Sequence, residues 1–452
     1  MAKSKTMFIC SECGTTQPKW LGRCPSCGEW NTFTEHSSGK GSSGGSAPAS
    51  TVKLSDVDTG SIPRKLSGIQ ELDRVLGGGI FPGSSILVGG EPGIGKSTLM
   101  LQLSCVSAFE RILYVSGEES AGQIGTRAKR LNLDGRATEI LCTSELDEIL
   151  NTLRNLKPGL AVIDSIQTVQ SAEAGPIAGS PNQIKYCCQN IIQEAKNLGT
   201  SLFLIAHVTK EGAIAGPKVI EHLVDTVLYF EQSESETRFL RANKNRFGSV
   251  DEIGLFTMES SGLVPVQDPS SLFLVKRKGT DADVPPGIIA APVYEGSRIL
   301  LVELQALTIS AKGGISRVFS DKIDSRRVSR MAAVLEKHAG IRLSDQDIYV
   351  NVAGGIKIQE VGVELPLAMA IYSARSNIPI PKQYTVAGEL SLAGEIRPIS
   401  HLRRRVRTAA EMGFSRFLGP ASCRKGDKPE DPWLKAATVS EAIRQVFKQE
   451  GQ

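Results

Sequence analysis

Residues Gly90, Glu91, Pro92, Gly93, Ile94, Gly95, Lys96 and Ser97 run consecutively and match the pattern G-x-x-x-x-G-K-[ST] in full. Glycine recurs in such a loop because side chains would keep successive backbone N–H groups away from a polyphosphate. Lys96 brings a mobile positive charge to the β- and γ-phosphates. The Ser97 hydroxyl can ligate Mg²⁺, and Thr98 completes the stretch expected to contact nucleotide. The apolar run Ile86, Leu87, Val88 precedes the loop as a buried strand should. The run Leu99 to Leu103 follows as a helix whose N-terminus faces the phosphates. The chemistry of this segment is ATP or related triphosphate binding.

Hydrolysis needs more carboxylates, and the sequence offers three beside apolar runs. Asp164 closes Leu160, Ala161, Val162, Ile163, at the strand end where ligands gather in open α/β sheets, and can share Mg²⁺ with Ser97. Glu118 and Glu119 leave the run Ile112 to Val115. Glu118 is the first candidate to activate water and Glu119 the second, with capping of a helix near Ser120 as the competing use. His207 ends Leu204, Ile205, Ala206. It reads either as a γ-phosphate sensor coupled to the loop beyond it or as a core histidine.

Cys10, Cys13, Cys24 and Cys27 form C-x2-C-x10-C-x2-C. Four thiolates so spaced suit closed tetrahedral Zn²⁺, and the metal would supply most of the folding free energy of so short a module. Trp20, Trp30 and Phe33, with Lys19 and Arg23, suit either nucleic-acid contact or packing around the knuckles. Cys105, Cys142, Cys187, Cys188 and Cys423 are scattered and read as small core residues.

The elements that must position these groups follow from the pattern. A chain of 452 residues divides into several domains. We expect a zinc-binding module over 1–35, a Gly/Ser-rich linker over 36–53, an α/β domain with a mainly parallel sheet over 54–269, and a further domain over 270–452. Strands are expected at 85–88, 112–115, 139–142, 160–163, 201–205 and 226–230, then at 287–293 and 299–306. A helix carrying Val328, Met331, Leu335 and His338 follows. No apolar run reaches membrane-span length, and the N-terminus shows no signal core, so a cytoplasmic protein with no membrane contact is expected. The net charge of +4 permits local basic patches and nothing stronger.

The phosphate loop, the strand-end Gly117-Glu118-Glu119, Asp164 and His207 together resemble a RecA-type ATPase core. The segment Lys244, Asn245, Arg246, Phe247, Gly248 is similar to the KNRFG motif of the bacterial RadA (Sms) recombination proteins. That resemblance implies a four-cysteine zinc motif, a RecA-like P-loop core and a C-terminal Lon-protease-like α+β domain, in this order. It also implies a DNA-dependent ATPase of repair and recombination, a homohexamer moving on single-stranded DNA and promoting branch migration of branched recombination intermediates, with RecA recombinase as a partner. Lys244 and Arg246 read as cations on a short turn that reach either a neighbouring subunit's nucleotide or DNA. The Gly/Ala/Pro-rich segment 171–182 would line the channel.

The segments 350–355 and 388–399 resemble the Lon proteolytic domain and raise an ATP-dependent protease as the rival reading. Matching the registers puts Glu364 where the nucleophilic serine belongs and Arg403 where the lysine belongs. Neither can do that chemistry, so a proteolytically inactive scaffold is expected. Its arginines, at 326, 327 and 330 and at 403, 404, 405 and 407, could line a DNA channel or form solvated faces and inter-subunit pairs. A RecA-like regulatory ATPase indifferent to DNA is the other alternative.

Overall fold

Short β-branched and leucine-rich runs, too short for helices and separated by amphipathic segments, set the architecture. The computed structural model describes residues 6–10, 16–25, 28–37, 53–56, 63–175, 177, 179–207, 218–232, 237–275, 284–311, 316–430 and 433–447. Two compact units emerge. One comprises Met1–Glu231 with Arg238–Pro265, the other Gln232–Thr237 with Val266–Gln452.

The first unit holds a nine-stranded sheet. Its order is Gly262–Pro265, Ile253–Glu259, Thr237–Asn245, Thr226–Gln232, Ser85–Gly90, Ser201–His207, Leu160–Asp164, Ile112–Ser116, Thr138–Cys142. The six strands from Thr226–Gln232 to Thr138–Cys142 run parallel, and in chain order helices lie between them. Parallel strands covered on both faces should read as continuous apolar runs, and Ser85–Gly90, Ile112–Ser116 and Leu160–Asp164 are buried throughout. Two hydrophobic layers flank the sheet, one around Leu99, Met100 and Phe203, the other around Ile149, Ile184 and Leu204. The helix Pro181–Leu198 shows how local signals set boundaries: Ser180 caps it, Pro181 occupies its first turn, and Gly199, at φ +68°, stops it.

Thr6–Cys10, Thr16–Gln17 and Phe33–Ser37 make a small antiparallel sheet near the N-terminus. Cys10 and Cys24 are buried there with Phe33. Cys13 and Cys27 lie outside the described residues. Among the scattered cysteines, Cys187 and Cys188 are core residues whose thiols burial pushes up, Cys187 to about 12. Cys142 is exposed instead, because the edge strand Thr138–Cys142 has one uncovered side.

The second unit is built on a mixed seven-stranded sheet ordered Val318–Ser320, Gln346–Val352, Arg298–Ser310, Ile288–Glu295, Tyr384–Val386, Arg416–Pro420, Leu434–Ala436. Helices Ser325–Ala339, Glu364–Ser376 and Leu402–Glu411 accompany it. In Ser325–Ala339 the buried set is Val328, Met331, Val334 and Leu335, begun by an Asp324 cap and ended at Gly340; Val334 joins the expected stripe, while His338, expected in it, is only half-buried. Among the described residues no helix is long and apolar enough to cross a membrane.

Candidate active site of the nucleotide-binding unit

Strand register brings the predicted residues together. Gly90 lies opposite His207, and Ser116 opposite Asp164, so four adjacent strands end at one sheet edge. The phosphate loop leaves Ser85–Gly90 there. Gly93, at φ +78°, adopts a backbone conformation unfavourable for other residues. Gly95, at φ +116°, also lacks room: a Cβ would stand 2.9 Å from Met258 Cε. The helix Lys96–Val106 then starts without any side-chain cap, which leaves its first N–H groups for an anion.

Lys96 is buried, and its ammonium donates to the carbonyls of Gly90 at 2.7 Å and Glu91 at 2.9 Å. Burial pulls its pKa down to about 8, against the opposing pull of the Asp164 and Glu118 charges. Asp164 is buried and accepts the Tyr114 hydroxyl at 2.6 Å. Ser97 lies in the first turn of the loop's helix, so the two expected Mg²⁺ ligands sit on elements that meet at the same sheet edge. Their hard oxygen donors suit that ion.

The structure separates the paired glutamates. Glu118 is 53% exposed, accepts the Ser165 hydroxyl at 2.9 Å, and has His207 Nε2 at 3.8 Å. Glu119 is engaged elsewhere, in an ion pair with Arg127 at 2.7 Å. Capping of the helix Ala121–Arg130 falls to neither, because Ser120 and Gln123 form a reciprocal capping box. His207 Nδ1 is buried with no hydrogen-bond partner among the described residues. Burial, reinforced by Lys96, lowers its pKa and favours the neutral ring. The chain from 208 to 217, through which a sensor would act, lies outside the described residues.

The motif at 244–248 is not simply a turn. Lys244 and Asn245 close the strand Thr237–Asn245, and only the following residues turn. Lys244 Nζ donates to the carbonyls of Glu221 and Val224, both at 2.7 Å. Arg246, exposed, pairs with Asp225 at 3.3 Å. Phe247 stacks on Phe81 with ring centroids 4.2 Å apart. Gly248 allows close approach, since a Cβ would come within 3.3 Å of the Gly77 backbone. The motif therefore has local packing duties in the isolated chain.

Sequence reasoning missed Tyr114, Ser165 and Thr168. Tyr114 sits inside an apolar run and reads as core. Ser165 follows the strand, and Thr168 packs so tightly on Gly117 that a Cβ there would overlap its hydroxyl at 2.1 Å. The segment 171–182, expected to line a channel, is tied at its base by Gln183, which donates to the Ser171 carbonyl at 2.8 Å.

In the second unit Glu364 begins its helix in near-complete burial, with Arg327 at 3.6 Å, Arg330 at 3.5 Å and the Leu390 N–H at 3.1 Å. Arg403 pairs with Glu430. Arg405 is 1% exposed and bound to both oxygens of Glu360, so it cannot line a channel. Arg327 is likewise turned inward, onto the carbonyls of Glu360 and Gln359 at 2.9 Å.

Comparison with known proteins places these units. Residues 66–141 match the family model described as KaiC, residues 8–35 the rubredoxin metal binding domain, and residues 320–422 subunit ChlI of Mg-chelatase. "DNA repair protein RadA" of Treponema pallidum is 49% identical over 98% of this chain and 98% of its own length. The protein of the same name from Pseudomonas aeruginosa is 41% identical over 99% of this chain and all of its own, and that from Bacillus subtilis 41% over 98% and 99%.

Proposed function

We propose, for a chain that belongs to the RadA family of DNA repair proteins, that the groups gathered around Lys96 form the hydrolytic site of an ATP-driven motor on single-stranded DNA. The observation that carries this reading is the convergence of Lys96, Glu118, Asp164 and His207 at one edge of adjacent parallel strands.

The loop N–H groups from Gly93 to Thr98 cradle the phosphates of ATP. Lys96 exchanges its carbonyl partners for phosphate oxygens, whose charge favours the ammonium that burial disfavours. Glu118, held by Ser165, takes the proton of the attacking water. Neutral His207, beside Glu118, responds to the γ-phosphate and passes that state along the chain. Ser97 and Asp164 would hold Mg²⁺, which supplies positive charge to the phosphates. Cys10 and Cys24, already sharing a small core, would join Cys13 and Cys27 around Zn²⁺.

Work on DNA follows from the family rather than from net charge. In this reading the chain assembles as a cytoplasmic homohexamer, translocates on single strands, and extends branched recombination intermediates alongside RecA recombinase. Arg246 is exposed and better placed than Lys244 to reach a neighbouring subunit's nucleotide, since Lys244 is spent on carbonyls. The Lon-like domain acts as an inactive scaffold: the carboxylate at 364 is already neutralised by arginines.

The test is ATPase activity with and without single-stranded DNA in wild type, Lys96→Ala and Lys244→Ala. Activity stimulated by DNA and lost in Lys96→Ala is expected. ATP turnover indifferent to DNA would instead favour a regulatory ATPase.

A further inference from the structure

Two of the three tryptophans of this chain stand in solvent on the cysteine module. Trp20 is 51% exposed and Trp30 67%, whereas Phe33 is buried with Cys10 and Cys24. Packing around the knuckles is therefore done by the phenylalanine, and leaves much of both indoles in solvent.

The rings are held rather than loose. Trp20 donates its indole N–H to the Phe33 carbonyl at 3.2 Å. Trp30 faces the Arg23 guanidinium, 5.7 Å from its ring centroid, and Arg23 is itself fixed by a 2.8 Å hydrogen bond to the Gly28 carbonyl. Backbone pairing of Arg23 with Trp30, and the Asn31 N–H to the Gly22 carbonyl at 2.8 Å, lock the two segments together. Gly22 lies between the indoles. A Cβ there would stand 3.7 Å from Trp20 and 4.0 Å from Trp30, so both ring edges border one spot. Lys19 and Arg23 are exposed beside them, and Glu29 is the exposed acid nearby in sequence.

Pre-ordered aromatic faces bordered by cations match the chemistry of an unpaired nucleic-acid strand, whose bases offer π-faces and whose phosphates offer charge. A duplex keeps its base faces stacked internally and would leave the indoles unsatisfied. We propose that Trp20 and Trp30 form a stacking platform for bases of single-stranded nucleic acid, with Lys19 and Arg23 taking the adjoining phosphates. The choice of polymer rests on the functional reading above.

The experiment uses the full chain as purified with its metal. Intrinsic fluorescence is followed while an oligothymidylate, or an abasic oligonucleotide of equal length, is added; anisotropy of a labelled oligothymidylate reports binding independently. Trp433, partly buried with its N–H on the Pro420 carbonyl at 3.0 Å, supplies a constant background. Quenching by oligothymidylate and not by the abasic strand is expected. The double variant Trp20→Ala with Trp30→Ala should bind about tenfold more weakly or worse, with an unchanged salt slope because the phosphate contacts remain. The Phe double variant should bind nearly as wild type, and equal metal content among variants controls for folding. Binding seen by anisotropy without quenching, or undiminished in the Ala variant, overturns the platform and leaves the DNA-dependent reading intact. No binding by either signal, and no DNA effect on ATPase, overturns that reading as well.

Discussion

Glu118, just past a strand end in the first unit, and Glu364, at a helix start in the second, are both carboxylates at the end of an element, yet the structure treats them oppositely. Glu118 is 53% exposed, held by one serine hydroxyl, and faces a histidine kept neutral. Glu364 is 6% exposed and saturated by two arginines and a backbone N–H. A carboxylate with spare lone pairs beside a phosphate loop can accept a proton from water. One whose charge is already matched on several sides can only hold elements together, here the helices Ser325–Ala339 and Glu364–Ser376 and the strand Glu389–Leu390. Residue type at a strand or helix end is thus a weak guide, and the number of partners already engaged is the stronger one.

The comparison breaks most visibly at Glu118. Glu118→Gln should lower ATP turnover by about 10²–10⁴-fold with nucleotide affinity and melting temperature nearly unchanged. If turnover barely falls while stability drops, Glu118 belongs with Glu364. The mirror experiment is Glu364→Ala. It leaves the largely buried Arg327 with its carbonyl partners but without a counter-charge and should cost about 3 kcal/mol of stability, seen as a lowered calorimetric transition, with ATPase rate retained.

A smaller effect is expected at Tyr114, which occupies one Asp164 oxygen. Tyr114→Phe should raise the Mg²⁺ concentration for half-maximal activity about tenfold, a loss of one charged hydrogen bond. ATP binding measured without metal should not move. The smallest concerns Glu336, a carboxylate spent on structure but near the surface. It accepts the Leu343 and Ser344 N–H groups, both at 3.0 Å, which hold its pKa below the ordinary 4.5. Because the folded value is the lower one, its stabilisation is present above that ordinary pKa and fades as pH falls through the depressed one. Glu336→Gln should cost up to about 1 kcal/mol at neutral pH, reduced by solvent screening, and nothing in acid. Urea melts across that range provide the check.

Much of the site was legible because buried parallel strands announce themselves as unbroken apolar runs. The polar residue that closes such a run, Asp164 or His207, must then stand at the sheet edge, and Glu118 follows its run by only two residues, Ser116 and Gly117. The basic segments were harder to read. Arg405 lies in an Arg-rich helix that reads as solvated, and only the approach of Glu360 from a distant loop shows that it is buried. Thr237–Asn245 mixes charged and apolar residues, so its strand character, and hence the position of Lys244, depended on its neighbours in the sheet.

Residue types and their spacing alone announced the nucleotide loop, the parallel core and, through the Lon-like resemblance, that Glu364 and Arg403 stand where a serine and a lysine are expected. Those properties depend on local backbone needs and on side-chain chemistry that no fold can alter: arginine cannot serve as a base, and a loop closing on phosphate needs glycine. Packing in three dimensions settled which glutamate acts electrostatically on Lys96, that Tyr114 holds Asp164, and which arginines are engaged. Those outcomes depend on pairings between residues tens of positions apart, 50 in the case of Tyr114 and Asp164. Only strand register and helix packing bring such residues together.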